Sequence, residues 1–121
     1  MENMKNTQIK RGQIYFCDIP KMVGSVYFGV RPVLIVSNDV NNRFSRCFTA
    51  VPITTKVDKA RLPTHVTLHT SCGVRRESLA MCENVSNYAK ESLRDLVCEL
   101  DLESEEWKSI ETALKVQMGL A

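Results

Sequence analysis

The sequence predicts a mainly β protein with helices: a small, strongly bent sheet or barrel capped by one C-terminal helix. Three observations lead there. Short apolar runs rich in β-branched residues recur between Gly, Pro, Asn and Asp turn signals. Only the last segment carries apolar residues at spacings of three and four. No internal repeat, low-complexity tract or linker breaks the 121 residues, which suffice for one core but not two. The expected organisation is a single domain over residues 1–121, with 1–9 as a flexible polar lead.

Gln13 to Ile19 reads as the first strand, ended by Pro20. Lys21 to Gly29 follows as a loop, with Gly24, Ser25 and Gly29 as its flexible points. The next stretch, Gly29 to Asp39, is the most informative of the chain. Val33 to Val36 announces a buried strand, and Arg31 stands directly before it, pinned by Pro32. Proline cannot donate to a ladder and belongs at a strand start or edge; it also pushes the residue before it into an extended conformation. An arginine held at a strand mouth is a poor core residue and a good phosphate ligand. Taken alone, it also reads as a surface Arg that merely precedes a strand.

Asp39 to Arg46 is expected as a polar connection, with Asn41 and Asn42 as turn material. Cys47 to Ile53 forms a third strand, disturbed near its end by Pro52, with Thr54, Thr55 and Lys56 following. Residues 56–63 are a basic loop holding Lys56, Lys59 and Arg61. Thr64 to Leu68 alternates as a strand does, and Ser78 to Val85 is another after a turn near Gly73. A helical turn is expected at Ala89 to Leu93 and a brief strand at Leu96 to Leu100. In the closing helix, Ser104 is the N-cap and Glu105 and Glu106 suit the first turn. Trp107, Ile110, Leu114 and Met118, with Ala113 beside them, make its apolar stripe, and Gly119 ends it.

Composition is ordinary for a soluble globular protein, at 44% hydrophobic and 25% charged residues. No apolar run approaches the ~20 residues of a membrane helix, and the polar start is not a signal peptide. The expected compartment is the cytoplasm, with no membrane partner. Cysteines at 17, 47, 72, 82 and 98 are odd in number and irregular in spacing, so free thiols are expected. His65, His69 and Cys72 could start a metal site, but no second cluster completes a ligand set, and no metal is expected. The net charge of +2 hides an asymmetry. Residues 1–89 carry 12 Lys and Arg against 6 Asp and Glu, and residues 90–121 carry 4 against 8. A basic body with an acidic tail suits a polyanionic partner, although the acids also simply decorate a solvated helix face.

Familiar catalytic templates are absent. There is no G-x-x-x-x-G-K-[ST], no G-x-G-x-x-G and no G-x-S-x-G, and the carboxylates are not clustered for a two-metal nuclease. What remains is Arg31, Thr54 and one carboxylate. If the second and third strands pair antiparallel, Arg31 and Thr54 can be neighbours. A guanidinium can hold two phosphate oxygens and stabilise a pentavalent phosphorus, and a threonine hydroxyl can donate to a nonbridging oxygen. RNA supplies its own nucleophile, the 2′-OH, so such a site can cleave RNA though not DNA.

The resemblance is carried by Arg11-Gly12-Gln13-Ile14-Tyr15, Val23-Gly24-Ser25 and Gly29 to Asp39. It continues through Asn42-Arg43-Phe44-Ser45, Val51-Pro52-Ile53-Thr54, Lys59 to Val66 and the ending Ala113 to Leu120. These ordered blocks closely resemble the MazF/PemK/Kid family of toxin endoribonucleases from Lys10 onward. The resemblance implies a small SH3-like barrel of the CcdB/Kid type with a C-terminal helix, acting as a homodimer without cofactor. It implies metal-independent, sequence-specific cleavage of single-stranded mRNA, leaving 2′,3′-cyclic phosphate and 5′-OH ends. It makes Arg31 and Thr54 the catalytic pair, with Glu83 the candidate carboxylate and Asn84 standing where relatives have Gln. The expected RNA-binding set is Ser25, Asn38, Arg43, Thr55, Lys56, Lys59, Arg61 and Asn84. It further implies a cognate antitoxin whose acidic, partly disordered segment competes for the RNA groove. DNA is reached only through that antitoxin.

Two departures are visible. Val26 stands where many relatives carry an acid, and Ser86 replaces a common Arg. The general base is therefore left open by the sequence. The alternative function is a non-catalytic binder: a gyrase-directed, CcdB-like toxin or a degenerate member that holds RNA without cutting it.

Overall fold

The computed structural model describes residues 8–21, 23, 24, 28–55, 62–69 and 77–120. Its strands are β1 (Gln13–Ile19), β2 (Gly29–Ile35), β3 (Cys47–Thr54), β4 (His65–Leu68), β5 (Ser78–Met81), β6 (Ser86–Ala89) and β7 (Leu93–Glu99). Its helices are α1 (Asp39–Phe44) and α2 (Glu105–Gln117). Ser25, Val26, Lys56, Lys59, Arg61 and Cys72, which the sequence reading uses, lie outside the described residues.

The strands pair antiparallel in the order β4-β5-β3-β2-β1-β7, and β6 pairs β3 as well. The bend originates in β3. Its first half pairs β6, from Cys47↔Ala89 to Ala50↔Ser86. Its second half pairs β5, at Ile53↔Ala80 and Thr54↔Leu79. Pro52 falls in the gap between these two partners, where a residue without an N–H disturbs the ladder least. One long strand thereby serves two sheets.

The four apolar residues Val33 to Val36 are all buried because the sheet is covered on both faces. Val33 and Ile35 pack with Tyr15, Cys17, Phe48 and Tyr88 on one face. Leu34 and Val36 pack with Ile14, Val51, Ile53 and the buried side of α2 on the other. The Ser104 hydroxyl accepts from the Trp107 N–H at 3.1 Å and caps α2, and Trp107, Ile110 and Ala113 turn inward. The stripe stops short of expectation: Met118 is the C-cap and is 61% exposed.

Other expectations are corrected. Arg31 is the third residue of β2 rather than a residue in front of it, and Pro32 lies inside the strand opposite Phe16. The supposed polar connection after β2 contains α1. Its six residues are too few to show a helical period, and Asn38 caps it by accepting from the Asn41 N–H at 2.8 Å. The strand expected over Ser78 to Val85 stops at Met81; Cys82–Asn84 make a turn of 3₁₀ helix, and pairing resumes as β6. The brief strand at Leu96 begins earlier, at Leu93, after a 3₁₀ turn at Lys90–Ser92. Cys17, Cys47 and Cys82 are free thiols, but Cys98 is disulfide-bonded. Among the described residues, no helix is long and apolar enough to cross a membrane.

Candidate active site

β2 and β3 pair antiparallel through Val33↔Pro52, Leu34↔Val51 and Ile35↔Ala50. The pairing ends at Val33 and Pro52, two residues short of Arg31 on β2 and of Thr54 on β3. Antiparallel pairing puts both at the same end of these two strands, and the same register carried on would set them level and on one face. The antiparallel pairing on which the sequence made their juxtaposition conditional is present. Arg31 is half-buried, and its Nε donates to the Phe28 carbonyl at 3.1 Å, which orients the guanidinium plane. Thr54 is 4% exposed and pairs with Leu79 of β5. Thr55 follows it on the surface.

Asn38 and Arg43 do not join this pair. Both sit around α1, beyond the far ends of β2 and β3, and the eight residues of β3 separate the ends by roughly 23 Å at the rise of a strand. Arg43 lies with its guanidinium 5.4 Å from the centre of the Phe44 ring.

Glu83 is also engaged elsewhere. Its Oε1 accepts from the Thr64 hydroxyl and its Oε2 meets His65 Nε2, each at 2.8 Å. His65 Nδ1 accepts from the Leu62 backbone N–H at 3.2 Å. The ring therefore carries its proton on Nε2 when neutral and donates it to Glu83. A His–Glu pair suggests a proton relay, but both ring nitrogens are occupied and the His65 side chain is 3% exposed. Burial pushes the Glu83 carboxyl up. Its own backbone N–H, the Thr64 hydroxyl and the His65 ring together outweigh that and hold it below its ordinary 4.5. A carboxylate so stabilised is a weak base. In the sequence His65 is visible only as a metal candidate, since its partner lies 18 residues away on another element. His69 goes to different partners: its N–H donates to Glu106 at 2.8 Å and its ring lies 3.7 Å from Glu77. No cluster of three His, Cys, Asp or Glu able to hold a metal occurs among the described residues.

A lowered folded pKa carries a sign. Glu83 contributes stability that is fully present above its unfolded value and is lost as pH falls through the lower folded one. Thermal unfolding followed through the acid range should show this loss in the native protein and a weaker pH dependence in Glu83→Gln. Equal slopes would show that Glu83 is not part of the acid response.

Comparison with known proteins decides the family. The profile described as "PemK-like, MazF-like toxin of type II toxin-antitoxin system" matches residues 10–118. The chain belongs to the MazF/PemK toxin family. It is 38% identical over 113 residues to endoribonuclease EndoA of Bacillus subtilis (strain 168), covering 93% of this chain and 96% of that one. A solved mycobacterial endoribonuclease superposes with a TM-score of 0.76 at 29% identity, covering 94% of each chain. MazF of Deinococcus radiodurans superposes at 0.78 with 19% identity, over 93% of this chain and 98% of that one, which shows the shared fold. This MazF-family protein is thus an endoribonuclease of the toxin–antitoxin class, on an antiparallel sheet closed by a C-terminal helix.

Proposed function

We propose that this endoribonuclease cleaves single-stranded mRNA at short sequence motifs by attack of the 2′-OH on the adjacent phosphorus, without metal or cofactor. The observation that carries the proposal is the antiparallel pairing of β2 and β3, whose register, carried on from Val33↔Pro52, sets Arg31 level with Thr54. The Arg31 guanidinium holds two nonbridging oxygens, and the Thr54 hydroxyl donates to one of them as charge grows on the pentavalent phosphorus. The bond from phosphorus to the 5′-oxygen breaks, leaving a 2′,3′-cyclic phosphate and a 5′-OH. Solvent takes the 2′-OH proton and returns one to the departing oxygen, since Glu83 is committed to Thr64 and His65. Ser25, Thr55, Lys56, Lys59, Arg61 and Asn84 contact the strand around the cut.

In the same reading the whole chain is one domain and acts as a cytoplasmic homodimer. An antitoxin restrains it through an acidic, partly disordered segment and provides its only link to DNA. A mycobacterial relative solved as an endoribonuclease "in complex with its cognate antitoxin" supports the pairing with an antitoxin; it is 29% identical with a TM-score of 0.76, covering 93% of this chain and 97% of that one. The test is the purified protein with a long single-stranded RNA in EDTA, with the cut ends sequenced and their phosphates identified. Discrete fragments with cyclic phosphate ends are expected. RNA that stays whole but is retarded would make the chain a binder, and intact, unretarded RNA would point to a protein target.

A further inference from the structure

The bonds around Glu83 join two segments that are remote in sequence. The connection after β3 leaves beside Thr54 and returns at Leu62. Because β3 and β4 both run antiparallel to β5, those two ends lie at opposite ends of β5. Lys56, Lys59 and Arg61 fall between them in the sequence. At the return end, Leu62 N–H is held by His65, Thr64 O accepts from the Cys82 N–H at 3.0 Å, and the Thr64 hydroxyl is held by Glu83. Glu83 is itself the middle residue of the 3₁₀ turn that presents Asn84.

We propose that Thr64, His65 and Glu83 form a positioning clasp for RNA binding, holding the return end of the basic connection and the Asn84 turn in one fixed relation, and that Glu83 takes no proton in the reaction. The proposal rests on the reading of the chain as an RNA-cleaving enzyme. It follows from how the hydrogen bonds are distributed: both carboxylate oxygens and both ring nitrogens are used within the clasp. A base must offer a lone pair to the substrate, whereas a clasp needs its lone pairs turned inward.

The amide of glutamine separates the two roles. Glutamine at position 83 can turn its oxygen to the His65 Nε2–H and donate its NH₂ to the Thr64 hydroxyl, which also accepts. It keeps the clasp but cannot serve as a base. Alanine removes both. The experiment measures affinity for an RNA blocked by a 2′-deoxy residue at the cut site, and the single-turnover rate on saturating cleavable RNA. Glu83→Gln is expected within threefold of wild type in both. Glu83→Ala is expected to weaken binding tenfold or more while the saturating rate stays within threefold. Thr64→Val, nearly isosteric, is expected to weaken binding severalfold and covers the case in which Glu83→Ala fails to fold. A hundredfold fall in the saturating rate of Glu83→Gln with unchanged binding would overturn the proposal and make Glu83 the base. Unchanged binding in both Glu83→Ala and Thr64→Val would overturn it as well. Wild-type protein that binds the blocked RNA but never cuts the cleavable one defeats the proposed chemistry alone, and the binding comparison still judges the clasp.

Discussion

Arg31→Ala will lower the single-turnover cleavage rate by a few hundred-fold and leave cooperative unfolding in place. The guanidinium is carried by β2, at the same end of the β2–β3 pair as Thr54, and is oriented through Nε by the Phe28 carbonyl. Its fork meets charge that develops only as phosphorus becomes pentavalent, so its loss raises the barrier rather than weakening binding alone. Removing one such donor costs about 3–4 kcal/mol. Arg31→Lys should recover little, because an ammonium is a point charge and cannot hold two oxygens in one plane. The fold should survive, since Arg31 is half-buried and neither apolar cluster includes it. A folded alanine variant that cuts within tenfold of wild type would remove Arg31 from the chemistry.

A single 2′-deoxy residue at the scissile position will abolish cleavage there, while EDTA leaves the all-RNA substrate cleaved at its usual rate. Neither the sequence nor the described residues offer an activated side-chain nucleophile beside Arg31. Cys17, which faces Arg31 across β1 and β2, is buried, and burial raises its thiol pKa. The attacking oxygen must then come from the substrate. Cutting at the deoxy position would require an external nucleophile, and loss of activity in EDTA would require a metal; either result sinks the mechanism.

Much was legible because it was local. The strands β1, β2 and β3 each hold a short apolar run that needs no partner to be recognised, and α2 carries its own cap and stripe. The ordered blocks from Arg11 to Leu120 carried the family, and the profile match over residues 10–118 agrees. Two elements escape the sequence pattern for short-range reasons. α1 is shorter than two helical turns, so Asn41 and Asn42 looked like turn material. The break after Met81 left no mark because Cys82 and Val85 keep the apolar character of the strand before them.

Hydrophobic pattern and turn chemistry determined, by themselves, that this chain makes a bent antiparallel sheet capped by a helix, and its motifs named Arg31 and Thr54. Only the tertiary structure decided which residues those two could work with. The antiparallel β2–β3 pairing put them at the same end of two adjacent strands, whereas α1 carried Asn38 and Arg43 to the opposite end. The contact between β4 and the turn after β5 bound Glu83 to Thr64 and His65. The physical reason is that a side chain's protonation and reach depend on the partners brought to it by pairing across long sequence separations. A strand's apolar period records which face is buried, but not which residue of another strand will stand opposite.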